Sequence, residues 1–363
     1  MTAITLPEGA PASLARLLVD FTAGRKAALA RAVSIVEDGR AGADLLLGAL
    51  HPRVGRSRRI GLTGPPGAGK STLTAQLVAL LRRQGRTVGI IAVDPTSPFS
   101  GGALLGDRVR MESVALDPGV FIRSMATRGS LGGLAATTRE VCDVLDAFGL
   151  DCILIETVGV GQSELDIART ADTSLVVLVP ESGDAIQTLK AGLMEIADVF
   201  VVNKADRPGA DRLRTDIEAM LGLRGGHGLQ NAPAHHGIDL RSLTTPHPAP
   251  ADAGDDAERW TPAVLRSSAT TGEGIPELLA ALERHFAYLE RSGELAVRRR
   301  ARLRERVKDV VFQRLGRRLW GDAATNAWID GQVADLADGR TTPYAVADAL
   351  LQRSGTLMTG ESV

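Results

Sequence analysis

Cysteine is nearly absent from this 363-residue chain: Cys142 and Cys152 stand ten apart with no CxxC spacing. That excludes a disulfide framework and fits a reducing compartment. Aromatic residues make up only 3%, while Ala, Leu, Val and Gly abound, which suits strands wrapped by small-faced helices. No apolar run approaches the length that crosses a bilayer. The opening "MTAITLPEGAPASLARLL" has no basic segment followed by an apolar one. The expectation is a cytoplasmic protein without a membrane partner. Net charge is close to zero, with 42 Lys and Arg against 43 Asp and Glu, so bulk electrostatic binding of nucleic acid is not expected. Basic residues do cluster at 53–59 ("RVGRSRR") and 298–308 ("RRRARLRERVK"), as solvated helix faces or as surfaces for an acidic partner.

What is present is a repeating alternation. Leu14, Leu17, Leu18, Ala28, Leu29, Ala32, Ile35 and Leu45–Leu47 recur at helical spacing, predicting two or three helices before any strand. Strands are then predicted at 59–64, 87–94, 151–157, 173–180, 198–206 and 263–269. Helices are predicted at 71–85, 131–149, 184–197 and from 275 to about 293. Strand, helix, strand at this spacing means an α/β fold with a doubly wound, mostly parallel sheet. Residues 224–257 are rich in Gly, Pro, Ala and His and lack periodicity, so they read as a flexible insertion. Their four histidines have no matching Cys or carboxylate spacing for a metal. Residues 276–355 read as long helices after the sheet. The expected organisation is a helical segment at 1–55, a nucleotide domain at 56–290 and a helical arm at 291–363.

"GPPGAGKS" at 64–71 matches GxxxxGK[ST] between a predicted strand and a predicted helix. Gly64, Pro65, Pro66, Gly67, Ala68 and Gly69 would wrap backbone N–H groups around phosphate oxygens, and the helix adds the partial charge of its N-terminus. Lys70 would bridge the β- and γ-phosphates, Ser71 would offer its hydroxyl to Mg²⁺, and Thr72 follows in the binding segment. Further oxygen ligands are expected at neighbouring strand ends. Asp94 ends "VGIIAVD", Glu156 ends "DCILIE", and Asp107 sits in the glycine-rich "GGALLGDRVR". Some of these would act through water. Gly159, in "ETVG", stands where a backbone N–H could meet a γ-phosphate.

The base is read from "VFVVNKAD". Asn203, Lys204 and Asp206 at a strand end form the Asn-Lys-x-Asp guanine reader. The Asp206 carboxylate accepts from N1–H and the exocyclic amine of guanine, which adenine does not offer, and such mismatches discriminate by on the order of 10⁴. Lys204 can lay its stem along the base. Ser267, Ser268 and Ala269, after the last strand, would complete the pocket, with the Ala269 N–H toward guanine O6. GTP and GDP are the expected nucleotides.

With these residues in place the chain resembles the MeaB/ArgK-type P-loop GTPases, companions of adenosylcobalamin-dependent acyl-CoA mutases such as methylmalonyl-CoA mutase. The resemblance extends beyond nucleotide motifs to "VDPTSPFSGGALLGDRVRM", "FIRSMATRGSLGGLA", "ETVGVGQSE", "GDAIQTLKAGLMEIADVFVVNKAD" and the Trp260–Val264 segment. It implies a homodimeric Mg²⁺-dependent GTPase, joined through its C-terminal arm, that docks on the mutase, gates adenosylcobalamin delivery and protects or rescues the mutase. Asp184, Gln187 and Lys190 match a loop that responds to nucleotide in that family. The 224–257 insertion departs from the family in length and proline content. No DxHxxG-type cobalamin motif is present, so the partner would hold the vitamin. Gln162 could orient water, and Arg108 or Arg110 could stabilise developing charge. Two alternatives are a small-molecule kinase or transport ATPase, and a nickel metallochaperone GTPase. The guanine reader speaks against the first, and the positions of Cys142 and Cys152 against the second.

Overall fold

Strands that stay apolar at every position need cover on both faces. The computed structural model describes residue 6 and residues 9–95, 111–127, 133–157, 167–181, 191–224 and 259–353. Within these, seven strands form one sheet: β1 (Arg58–Thr63), β2 (Val88–Pro95), β3 (Val120–Thr127), β4 (Cys152–Thr157), β5 (Thr173–Leu178), β6 (Val199–Val202) and β7 (Ala263–Arg266). Their order is β3-β2-β4-β1-β5-β6-β7, and every neighbouring pair is parallel. Strands β4, β5 and β6 are buried along their whole length. The doubly wound parallel architecture read from the sequence is therefore the one observed.

The helices are α1 (Ala12–Thr22), α2 (Lys26–Glu37), α3 (Ala43–Leu50), α4 (Lys70–Arg83), α5 (Glu112–Ala115), α6 (Gly133–Phe148), α7 (Ala191–Ile196), α8 (Ala210–Arg224), α9 (Ile275–Arg291), α10 (Glu294–Trp320), α11 (Ala323–Ala337) and α12 (Pro343–Arg353). Side chains alternate along each strand, so each strand feeds two cores. On one face Ile60, Leu62, Val88, Ile90 and Leu154 pack with Leu73 and Leu77 of α4 and Leu278 and Leu282 of α9. On the other, Ile91, Val93, Ile153 and Ile155 pack with α6 and the three N-terminal helices. A third cluster joins Val176, Leu178, Phe200 and Val202 to Leu213 and Ile217 of α8.

Three elements add to the sequence reading. Strand β3 makes seven where six were expected; it lies at the edge and pairs with β2 from Val88↔Val120 to Pro95↔Thr127. Helices α5 and α8 also went unread. Strand β6 stops at Val202, short of the 198–206 expected, because the chain turns there to present Asn203. The chain divides into two compact units, residues 1–298 and 299–363. The first holds the sheet. In the second, Asp322 caps α11 by accepting from the Thr325 amide at 2.8 Å and the Thr325 hydroxyl at 2.7 Å. Among the described residues no helix is long and apolar enough to cross a membrane.

Candidate nucleotide site

Strand β1 has β4 on one side and β5 on the other, so the strand order reverses there and opens a crevice at the strands' C-terminal ends. The chain leaves β1 at Thr63 and turns through Gly64–Gly69 into α4, placing the phosphate loop over that crevice. Two glycines are required by space as well as by backbone angle. A Cβ on Gly64 (φ 139°) would lie 2.0 Å from the Val177 carbonyl oxygen of β5. One on Gly69 (φ 85°) would lie 2.5 Å from the Asn203 amide nitrogen. The loop thus sits down on β5 and on the residue after β6.

Lys70 opens α4 and is buried. Its ammonium donates to the carbonyl oxygens of Gly64 at 2.8 Å and Pro65 at 3.0 Å. The cation is thereby held inside the loop that would surround a phosphate. Pro65 O also accepts from the Ala68 amide at 3.3 Å, closing the turn around exposed Pro66 and Gly67. Thr72 is half-buried in the first turn of α4.

Glu156 follows from parity. Cys152 and Leu154 point to the α4 core and Ile153 and Ile155 to the opposite one, so residue 156 points at α4. It is 2% exposed, beside Leu62 of β1 and Ala92 of β2. The Ser71 hydroxyl donates to its Oε1 at 2.6 Å and the Thr74 hydroxyl to its Oε2 at 3.2 Å. A buried carboxylate needs such donors. A hydroxyl and a carboxylate converging beside a phosphate loop are hard oxygen donors suited to Mg²⁺. Next along the strand, the Thr157 hydroxyl lies 3.2 Å from that of Thr63, tying β4 to β1 beneath the loop. Asp94 is the penultimate residue of β2, opposite Ala126 of β3, one position beyond the Val93↔Thr157 pair. Asp107, Gly159, Gln162, Arg108, Arg110, Asp184, Gln187 and Lys190 lie outside the described residues, as do residues 225–258 of the insertion.

The Asn-Lys-x-Asp segment is organised by Asn203. Its amide nitrogen donates to the Ala68 carbonyl in the phosphate loop at 2.8 Å. Its Oδ1 accepts from the Ser267 hydroxyl at 3.2 Å and the Ala269 amide at 3.1 Å. One buried side chain thus joins the phosphate loop, the end of β6 and the segment after β7. The sequence reading aimed the Ala269 N–H at guanine O6; here that N–H donates to Asn203, so the two uses compete for one hydrogen. Lys204 has φ 55°, the one positive φ outside glycine among the described residues. A strained residue at a turn is a sign of function. The Ala205 amide donates to the Ser267 carbonyl at 2.9 Å, which pins that turn and leaves the Asp206 side chain exposed. Ser268 is buried, its amide donating to Glu273 O at 3.0 Å.

Sequence reasoning missed Thr74. Thr74 lies three residues after Ser71, hence on the same helix face, and that spacing could have found it. Cys142 is buried in α6, and Cys152 is the first residue of β4, at the sheet's end away from the phosphate loop.

Comparison with known proteins agrees with this geometry. The model of the family described as methylmalonyl Co-A mutase-associated GTPase MeaB matches residues 29–324. A Pyrococcus horikoshii protein named as a proposed GTPase is 43% identical over 330 residues, covering 91% of this chain and 95% of its own. GTPase ArgK of Escherichia coli is 35% identical over 312 residues, 84% of this chain and 86% of its own. The mouse methylmalonic aciduria type A homolog, a mitochondrial protein, is 32% identical over 354 residues, 93% of this chain and 78% of its own. Among solved structures, one titled LAO/AO transport system kinase superposes with a TM-score of 0.64 at 27% identity, covering 96% of this chain and 99% of that one.

Proposed function

The chain belongs to the MeaB family of methylmalonyl-CoA mutase-associated GTPases, and on that premise we propose that it serves as a Mg²⁺-dependent chaperone of an adenosylcobalamin-dependent acyl-CoA mutase. In this role it couples GTP hydrolysis to cofactor delivery and to protection or rescue of the mutase. The observation that supports this most is the family match across residues 29–324, which runs far beyond the nucleotide motifs.

The chemistry follows from the crevice. Water attacks the γ-phosphate in line, and charge spreads over its oxygens. Lys70 exchanges its two carbonyl acceptors for phosphate oxygens, and the loop's backbone amides meet the same charge. Ser71 and Glu156 are the residues that would hold Mg²⁺, with Asp94 and Asp107 as further candidates, some through water; the ion supplies charge neutralisation at the β- and γ-phosphates. Asp206 and the Asn203-organised turn select guanine. Gly159 is the proposed γ-phosphate sensor, and Asp184, Gln187 and Lys190 are the candidates for coupling to the mutase.

Homodimerisation through the C-terminal arm is part of the proposal. Helix α10 spans 27 residues without one buried side chain, about 40 Å of helix. Leu303, Val307, Val311, Phe312 and Leu315 are exposed along it. An apolar series of this extent asks for a partner helix. Two buried cysteines that form no disulfide agree with the proposed cytoplasmic location.

The kinase title of one relative motivates a second reading, phosphoryl transfer from ATP to a small molecule. Single-turnover hydrolysis of GTP and of ATP, each with and without the purified mutase, separates the two. The expected result is GTP turnover that is slow alone and faster with the mutase. Equal GTP rates with and without the mutase would sink the chaperone proposal, and ATP preferred over GTP would favour the kinase.

A further inference from the structure

Glu156 occupies a strand end with one more rotatable bond than an aspartate there would have. A longer carboxylate reaches further and also wanders further. Something must fix its direction if it is to meet a metal ion rather than swing down the α4 face. Ser71 is a poor candidate for that task alone. Its hydroxyl is also a proposed metal ligand, so it would serve the ion as well as the carboxylate.

Thr74 is placed for it. The side chain is fully buried in the second turn of α4, between Leu73 and Leu77, which pack in the core. Its hydroxyl donates to Oε2 of Glu156 at 3.2 Å, while Ser71 donates to Oε1 at 2.6 Å. The two donors sit three residues apart on one helix face and engage opposite oxygens of one carboxylate. A buried threonine in a helix can instead bond back to the carbonyl four residues earlier; this one reaches across to the sheet. The carboxylate is thereby held at both oxygens, at one of them by a residue of the second turn of α4 rather than of the phosphate loop.

We propose that Thr74 is a positioning residue that holds the Glu156 carboxylate toward the metal side of the phosphate loop. The inference rests on the reading of Glu156 as a metal-facing residue, and the test separates the two. Release of a fluorescent GDP analogue is followed across a Mg²⁺ titration for the wild type, T74V, T74S and E156Q. T74V keeps the shape and loses the donor; the expected result is a Mg²⁺ midpoint raised about tenfold, the weight of one hydrogen bond to a charged group. T74S restores the hydroxyl and is expected at the wild-type midpoint. In EDTA the wild type, T74V and T74S are expected to release the nucleotide within about twofold of one another, because the phosphate loop is untouched. If T74V does not fold, Thr74→Ala is the second hydroxyl-free variant and the same shift is expected. A shift in E156Q with none in T74V overturns the role of Thr74 alone. No shift in E156Q overturns the metal-facing reading itself. T74S as impaired as T74V, or faster release in EDTA for T74V, assigns the effect to packing and overturns the proposal.

Discussion

Compare the two ends of the sheet. At the C-terminal ends, Glu156 takes its hydrogen bonds from hydroxyls of α4, the helix that follows the phosphate loop. Near the N-terminal ends, Asp198 lies just before β6 and is bound by a guanidinium: Arg298 Nη1 sits 3.0 Å and Nη2 3.1 Å from its Oδ1. The Ser174 amide donates to Asp198 Oδ2 at 2.8 Å, and the Trp260 indole to the Asp198 carbonyl at 2.8 Å. His285 is fully buried beside them, with Nδ1 2.9 Å from the Thr173 hydroxyl. Its Nε2 lies 3.3 Å from Asp198 Oδ1, close enough for an ion pair but without hydrogen-bond alignment. Arg59 repeats the pattern on Asp143 at 2.7 Å and Asp146 at 3.1 Å. Both ends bury carboxylates. One end satisfies them with neutral hydroxyls, the other with cations that the fold itself supplies. The proposed chemistry is assigned to the first and stability to the second.

The largest test of this division is Glu156→Ala. Mg²⁺-dependent GTP hydrolysis is expected to fall on the order of 100-fold, with GDP binding mostly intact. Wild-type hydrolysis in single-turnover assays would return Glu156 to a structural role and erase the contrast. The reciprocal change is Asp198→Ala, which takes from the half-buried Arg298 guanidinium and the Ser174 amide the carboxylate that accepts from them. It is expected to destabilise the protein by about 3 kcal/mol in urea titrations. Hydrolysis per folded molecule should stay at the wild-type level. A variant that loses activity without losing stability would show that the lower end also serves the reaction.

The smallest effect is in pH. Burial pushes the Asp198 carboxyl up, but the His285 ring, the Arg298 guanidinium and the Ser174 amide outweigh it and hold it below the usual value. A depressed carboxylate contributes stability above its unfolded value of about 3.9 and loses it as pH falls through the folded value. The stability gap between the wild type and Asp198→Ala should therefore narrow below about pH 4. A gap that stays constant from pH 6 to pH 3 would mean that the ion pair does not act through the Asp198 charge.

Much of this was legible in the sequence. Buried strands β4, β5 and β6 announce themselves as unbroken apolar runs. The phosphate loop and the Asn-Lys-x-Asp turn are local in sequence, because each needs a short stretch of backbone and one or two side chains. Strand β3 was not legible. Arg123 and Ser124 interrupt its apolar run, and the reason Arg123 is tolerated is distant: its Nε donates to Glu37 of α2 at 2.6 Å. Helix α8 was hidden by its charged residues, and its apolar side, with Leu213 and Ile217, makes sense only against β6.

The sequence by itself determined the alternation of most strands and helices, the phosphate loop, the Asn-Lys-x-Asp turn and the presence of a carboxylate at the tip of β4. Those depend on chain-local periodicity and on motifs a few residues long. Only the tertiary structure decided what each carboxylate does. Thr74 meets Glu156 across 82 residues, Asn203 meets Ala68 across 135 and Arg298 meets Asp198 across 100. Such pairs are set by which strand lies beside which and by which face a side chain takes. Strand order and register are properties of the assembled sheet rather than of any segment in it.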